Sequence, residues 1–264
     1  MIPLNSIQRS NTDRGLSEVL SFVFVFTLVI TTLSLTFIVG IDNLEERQKQ
    51  EKISNIERSL VIYDENVNDL IKGNARIRTT QLQTQGAKIG GGYETSMSVA
   101  LKNANETYAS NSTVFRYETE YNVEYVQEFG AILKIVNPSS DDPEVIMLHK
   151  PQFVFTDEFD SISLHLVETR QANSNVTIQT DRILVRKSTG RNVVISPDGG
   201  TVPEDITVTM NTPNYEFWNE YMSSKDDVDS CTTDPSQQKV TCELTGVEDY
   251  SIPYTAITYE YEAV

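Results

Sequence analysis

Residues Val19 to Ile41, VLSFVFVFTLVITTLSLTFIVGI, carry no charged side chain. About 23 such residues rise about 35 Å as a helix, enough to cross the hydrocarbon of a bilayer with modest tilt. Membrane lipid is therefore the first expected partner. Arg9 and Arg14 precede the run, while Asp42, Glu45 and Glu46 follow it, which by the positive-inside rule leaves the N-terminus cytoplasmic and the long C-terminal part outside. A secretory signal has a shorter apolar core with a small-residue cleavage site behind it. Here Gly40-Ile41-Asp42-Asn43 leads directly into Leu44-Glu45-Glu46-Arg47, so the apolar run is expected to stay in the mature chain. Thr27, Thr31, Thr32, Ser34 and Thr36 fit this setting because their hydroxyls can bond back to helix carbonyls.

The entry into the run is Arg14-Gly15-Leu16-Ser17, followed by Glu18. This junction, with the apolar helix behind it, resembles the class III signal of archaeal type IV pilins and pilin-like proteins, as far as about Glu45. The resemblance implies a leader of residues 1–15 that a prepilin peptidase removes after Gly15, so that Leu16 becomes the first mature residue. It also implies that the exposed helix packs against other pilin-like subunits or stays as an anchor. Bacterial-type pilins carry a glutamate at the fifth mature position, whereas Glu18 would be the third. Two roles stay open for it: pairing with a neighbouring subunit's new amino terminus, or lying as a carboxylate at the membrane surface.

Beyond Ile41 the residues Ile53, Ile56, Leu60, Tyr63, Val67 and Leu70 recur at spacings of three and four. This heptad-like stripe, with charge on the other face, predicts that the helix continues as an amphipathic stalk over 42–73 and stops near Lys72-Gly73-Asn74. The whole helix is thus expected over 16–73, with Gly40 able to permit a bend. The stripe docks on the chain's own outer domain, packs against other subunits, or does both.

Residues 74–264 change character to short runs of Val, Ile, Thr, Tyr and Phe broken by turn residues. The expected strands are Thr95 to Leu101, Val114 to Val126, Ala131 to Val136, Val145 to Leu148, Ser161 to Glu168, Val176 to Gln179, Arg182 to Lys187, Val193 to Ile195, Ile206 to Asn211, Lys239 to Leu244 and Ala256 to Glu262. Turns are expected at Asn137-Pro138-Ser139-Ser140, Asp141-Asp142-Pro143 and Ser196-Pro197-Asp198-Gly199-Gly200. One helix, near 213–225, starts from Thr212-Pro213-Asn214 and places Phe217, Trp218, Tyr221 and Met222 on one side, with Trp218 as a core anchor. The glycine-rich Gly86 to Gly92 lacks the Gly-Lys-Ser/Thr ending of a phosphate loop and reads as a flexible lead-in. The fold class is α+β: a long transmembrane and amphipathic helix followed by an antiparallel, β-sandwich-like extracellular domain.

An outer domain places Cys231 and Cys242 in an oxidising setting, where a disulfide is expected. Asn105, Asn111 and Asn175 head N-glycosylation sequons. The 38 acidic against 21 basic residues, net charge −17, exclude nucleic acid as a partner and suit a halophilic surface on which salt screens repulsion. No catalytic motif is present, so no enzymatic role and no cofactor are expected. The acidic loops Asp157-Glu158-Asp160 and Asp226-Asp227-Asp229 lack EF-hand spacing and read as solvated loops rather than calcium sites. The reading is a structural cell-surface protein, a minor pilin-like subunit acting in pilus assembly or adhesion. The alternative is a membrane-tethered extracellular binding domain that never polymerises.

Overall fold

In a computed structural model that describes residues 10–82, 87–140, 142–156, 161–172, 182–187, 192–195 and 203–262, the apolar run and the stripe beyond it belong to one helix, α1 (Ser10–Lys72). It begins inside the expected leader rather than at Leu16. Gly73 ends it with φ 80°, a left-handed conformation that costs glycine little, and the Asn74 N–H bonds back to the Asp69 carbonyl at 2.9 Å. Two units make up the chain, one up to Ser54 and one from Asn55 onward. The second contains the last turns of α1, two sheets and a short helix.

After α1 come β1 (Ile77–Thr80), β2 (Lys88–Leu101), β3 (Glu106–Glu118), β4 (Val123–Glu128), β5 (Ala131–Val136), β6 (Glu144–His149), β7 (Phe153–Thr156), β8 (Ser161–Leu164) and β9 (Leu166–Gln171). Then follow β10 (Arg182–Lys187), β11 (Asn192–Ile195), β12 (Glu204–Asn211), α2 (Tyr215–Ser223), β13 (Ser230–Asp234), β14 (Lys239–Val247) and β15 (Asp249–Glu262). The larger sheet runs β13-β14-β12-β2-β3-β4-β5-β6 and is antiparallel throughout. The other is organised by β15, which pairs antiparallel with β10 and β11 along one edge and parallel with β8 and β9 along the other. Pro253, which has no N–H to give, sits where β15 changes partner between Ser251, opposite Ser163, and Tyr254, opposite Leu166. The fold is therefore α+β, with an N-terminal apolar helix and a largely antiparallel β domain.

Several expected elements are corrected. The run Val114 to Val126 is two strands, β3 and β4, reversed through Thr119 to Asn122. The Thr119 hydroxyl donates to the Val123 carbonyl at 2.7 Å and Asn122 takes φ 58°, so the turn needs neither Gly nor Pro. Ser161 to Glu168 is likewise divided, into β8 and β9. Gly90 to Gly92 are part of β2, not a flexible lead-in, with a register shift between Gly91 and Glu94. The two turns expected at 137–140 and 141–143 form a single connection, β5 to β6. Strands β1, β7 and β13 were not expected. Val176 to Gln179 and the 196–200 turn lie outside the described residues.

Two apolar clusters fill the second unit. One joins both sheets and α2 around Trp218, Phe129, Phe153, Met97 and Leu133. The other lies beneath α1, where Leu60, Tyr63, Val67 and Leu70 pack with Phe115, Tyr117, Tyr125 and Tyr259.

Candidate functional site

From Glu18 to Phe37, α1 has a mean hydropathy of 2.2 over 20 residues and buries none of them within the chain. A helix this apolar on every side needs an apolar medium or apolar neighbours. Its threonine hydroxyls are bonded within the helix: those of Thr27, Thr31 and Thr32 donate to the carbonyls four residues back at 2.7 Å, and that of Thr36 does so at 2.8 Å. Glu18 is exposed at the start of this run. Arg14, Gly15 and Leu16 all have helical backbone.

The last turns of α1 are built into the β domain. Ile56 is buried, as are Leu60, Tyr63, Val67, Leu70 and Ile71, so the stripe is consumed by the chain's own β domain. Polar bonds fix the register of this seam. Glu57 Oε1 takes the Lys134 ammonium at 2.8 Å, Tyr63 donates to Gln127 Oε1 at 2.8 Å, and Gln152 donates to Asn68 Oδ1 at 2.8 Å. His149 Nδ1 lies 3.2 Å from Asp64 Oδ2, to which Asn68 also donates.

Burial raises the Asp64 carboxyl to about 6, with Glu65 adding to the rise and His149, Asn68 and Lys72 opposing it. Because the folded-state value lies above the unfolded one, the folded form holds this proton more tightly. The contribution is present at low pH and is lost as pH rises from about 4 through about 6. Asp64→Asn should therefore match the wild type near pH 4 and exceed it by up to about 3 kcal/mol near pH 7. Thermal unfolding of both proteins at the two pH values checks this.

A second polar centre holds α2. Glu128 is fully buried; its carboxylate accepts from Trp218 Nε1 at 2.7 Å, Asn214 Nδ2 at 2.7 Å, the Thr212 hydroxyl at 3.0 Å and the Tyr93 hydroxyl. Burial pushes the carboxyl above its ordinary range, and these four donors pull it back. This corrects the expected helix start. Pro213 precedes the cap position rather than lying in the first turn, and the Asn214 side chain makes no cap bond because it is turned to Glu128 and Tyr93. Trp218 anchors the core and meets Phe129 edge-on at 5.2 Å. Sequence reasoning missed Glu128, whose four partners are spread from residue 93 to residue 218.

Cys231 and Cys242 are disulfide-bonded and lie opposite one another in the β13–β14 pair. Asn105 is exposed in the β2–β3 turn with φ 55°, and Asn111 is exposed on β3. Asn175 and the loop of Asp157, Glu158 and Asp160 lie outside the described residues. Asp229 is engaged by the Thr245 N–H and hydroxyl at 2.7 and 2.8 Å. Among the described residues, no group of three His, Cys, Asp or Glu side chains is placed to hold a metal ion.

A family model described as a family of unknown function (DUF7289) matches residues 14–260. The chain belongs to that family. No curated protein and no solved structure matches it.

Proposed function

We propose that this member of the DUF7289 family is a minor pilin-like subunit of an archaeal cell surface. A prepilin peptidase removes its leader after Gly15, and α1 then holds it in the membrane or in a filament. The β domain, closed as a sandwich-like head, faces a saline exterior with its glycans and serves assembly or adhesion. The observation that carries this reading is the 20-residue run with no buried side chain, entered through Arg14-Gly15-Leu16 and continuous with a helix whose last turns belong to the head. Leaving such a run in water is unfavourable, so it calls for lipid or for the equivalent helices of other subunits. The family match covers helix and β domain together.

The burial of Leu60, Tyr63, Val67 and Leu70 favours a second reading, a tethered binding domain that does not polymerise. With the stripe consumed at home, lateral assembly rests on the apolar run, which lipid alone can also satisfy. The mature N-terminus, read by mass spectrometry on protein from membrane and sheared-filament fractions, tests both. Leu16 as first residue, recovered with filaments, is the expected result. Leu16 in membranes only selects the tethered domain, and an intact leader overturns the processed reading.

A further inference from the structure

A cleft of about 560 Å³ opens where β2, β3 and β12 of the larger sheet meet β9 of the other, within the about 300–1,000 Å³ of small-molecule sites. The register of β2 shifts between Gly91 and Glu94; beyond the shift Glu94, Thr95 and Ser96 pair regularly with Thr113, Ser112 and Asn111 of β3, and these residues form the cleft wall. The floor is fixed by bonds between the sheets. Ser112 Oγ donates to the Val167 carbonyl at 3.1 Å and accepts the Thr169 N–H at 3.1 Å, while the Thr169 hydroxyl donates to the Thr113 carbonyl at 2.8 Å.

The lining decides the ligand class. Among the described residues it contains no aliphatic or aromatic side chain, so an apolar molecule gains nothing there. Arg170 is the cation of the lining and is bonded to Glu168, which Tyr254 also engages; with Glu94 beside them, a phosphate or carboxylate is disfavoured. What remains are hydroxyls and amides suited to a neutral molecule that donates and accepts many hydrogen bonds at once. Thr95 points to such a ligand independently, being 3% exposed with a buried hydroxyl that has no hydrogen-bond partner in the protein. A buried hydroxyl is ordinarily partnered. Close by, Asn211 Nδ2 donates to Ser96 Oγ at 2.8 Å and leaves its own carbonyl oxygen as an acceptor.

We propose that this cleft binds a neutral saccharide unit, with the Thr95 hydroxyl, Glu94 and Asn211 contacting it. Two sources offer that chemistry. One is a glycan on another surface; the other is the chain's own N-glycan, since Asn111 lines the cleft and heads the Asn111-Ser112-Thr113 sequon. The site does not depend on polymerisation or on leader processing.

The test uses the full chain, made in a host without N-glycosylation and held in a detergent without a sugar head group, on an array of neutral gluco-, galacto- and manno-configured oligosaccharides. Binding is expected, weakened about tenfold by Thr95→Val and by Glu94→Ala. Glu94 is exposed, so the second variant folds even where the first does not, and matching thermal midpoints certify each. Peptide mapping of the chain from its native host assigns the source. A glycan on Asn111, with array binding by the glycosylated chain only after Asn111→Gln, identifies the chain's own sugar; a bare Asn111 with array binding identifies an external one. The proposal is overturned by absence of both array binding and an Asn111 glycan, or by array binding that neither variant weakens.

Discussion

Glu128→Ala should destabilise the β domain by about 4–5 kcal/mol, a large share of the about 5–15 kcal/mol that holds an ordinary domain together. The carboxylate receives donors from Tyr93 on β2, from Thr212 and Asn214 ahead of α2, and from the indole of Trp218 within it. Truncation strands the buried Trp218 and Thr212 donors and leaves the half-buried Tyr93 and Asn214 bonded only to each other; each buried donor left unpaired costs about 1–3 kcal/mol, offset in part by relaxation. Glu128→Gln keeps an oxygen for Trp218 and Thr212 and should cost less than half as much. Because the chain has a single tryptophan and it touches this carboxylate, its fluorescence during guanidinium unfolding reads both variants directly. Equal losses for Ala and Gln would mean that the charge rather than the acceptor geometry holds the network. A loss below about 1 kcal/mol for Ala would show that α2 is held by apolar packing alone.

What could be read in the chain beforehand was whatever a local pattern encodes. The stripe from Ile56 to Leu70 and the glycine after Lys72 state a helix face and its end within a few residues, and β5 and β10 coincide with their apolar runs. The Cys231–Cys242 bond is the one expected of two cysteines at short spacing in a domain read as facing an oxidising exterior. Features that depend on distant partners were not legible. The β4–β5 reversal puts Phe129 at φ 50° and Gly130 at φ 82°, where an asparagine-glycine pair would be the local choice. The cost of the left-handed Phe129 is met by its burial against Trp218, about 90 residues away in the chain. The parallel pairing of β15 with β8 and β9 left no trace in the turns between them, because such pairs are joined by long connections. The cleft has the same origin: Glu94, Thr95, Asn111 and Asn211 are unremarkable polar residues in their own strands, and only the pairing of β2 with β3 and β12 and the approach of β9 bring them together.

Under the proposed processing, Gly15→Phe should abolish leader removal entirely and leave a single form longer by residues 1–15. The physical argument starts from the backbone. Residues 10–18 are helical in α1, whereas a peptidase must reach the bond between Gly15 and Leu16 in a locally opened chain. Glycine weakens a helix interior by about 0.5–1 kcal/mol relative to alanine and lets a second backbone approach closely. Under the proposed processing it supplies both the place where the helix opens and the space for the enzyme at the scissile bond. Phenylalanine removes that space and restores helix propensity; Gly15→Ala changes the propensity with little added bulk and should slow processing without stopping it. The order Gly > Ala ≫ Phe, followed as the ratio of mature to precursor mass in membranes, is thus the signature of cleavage at this bond. An unchanged mature mass in Gly15→Phe would move the cleavage elsewhere. A wild type that already carries its leader would make α1 an uncleaved signal anchor. The β domain serves as internal control, since its apolar clusters begin at Ile56 and should melt alike in all three proteins.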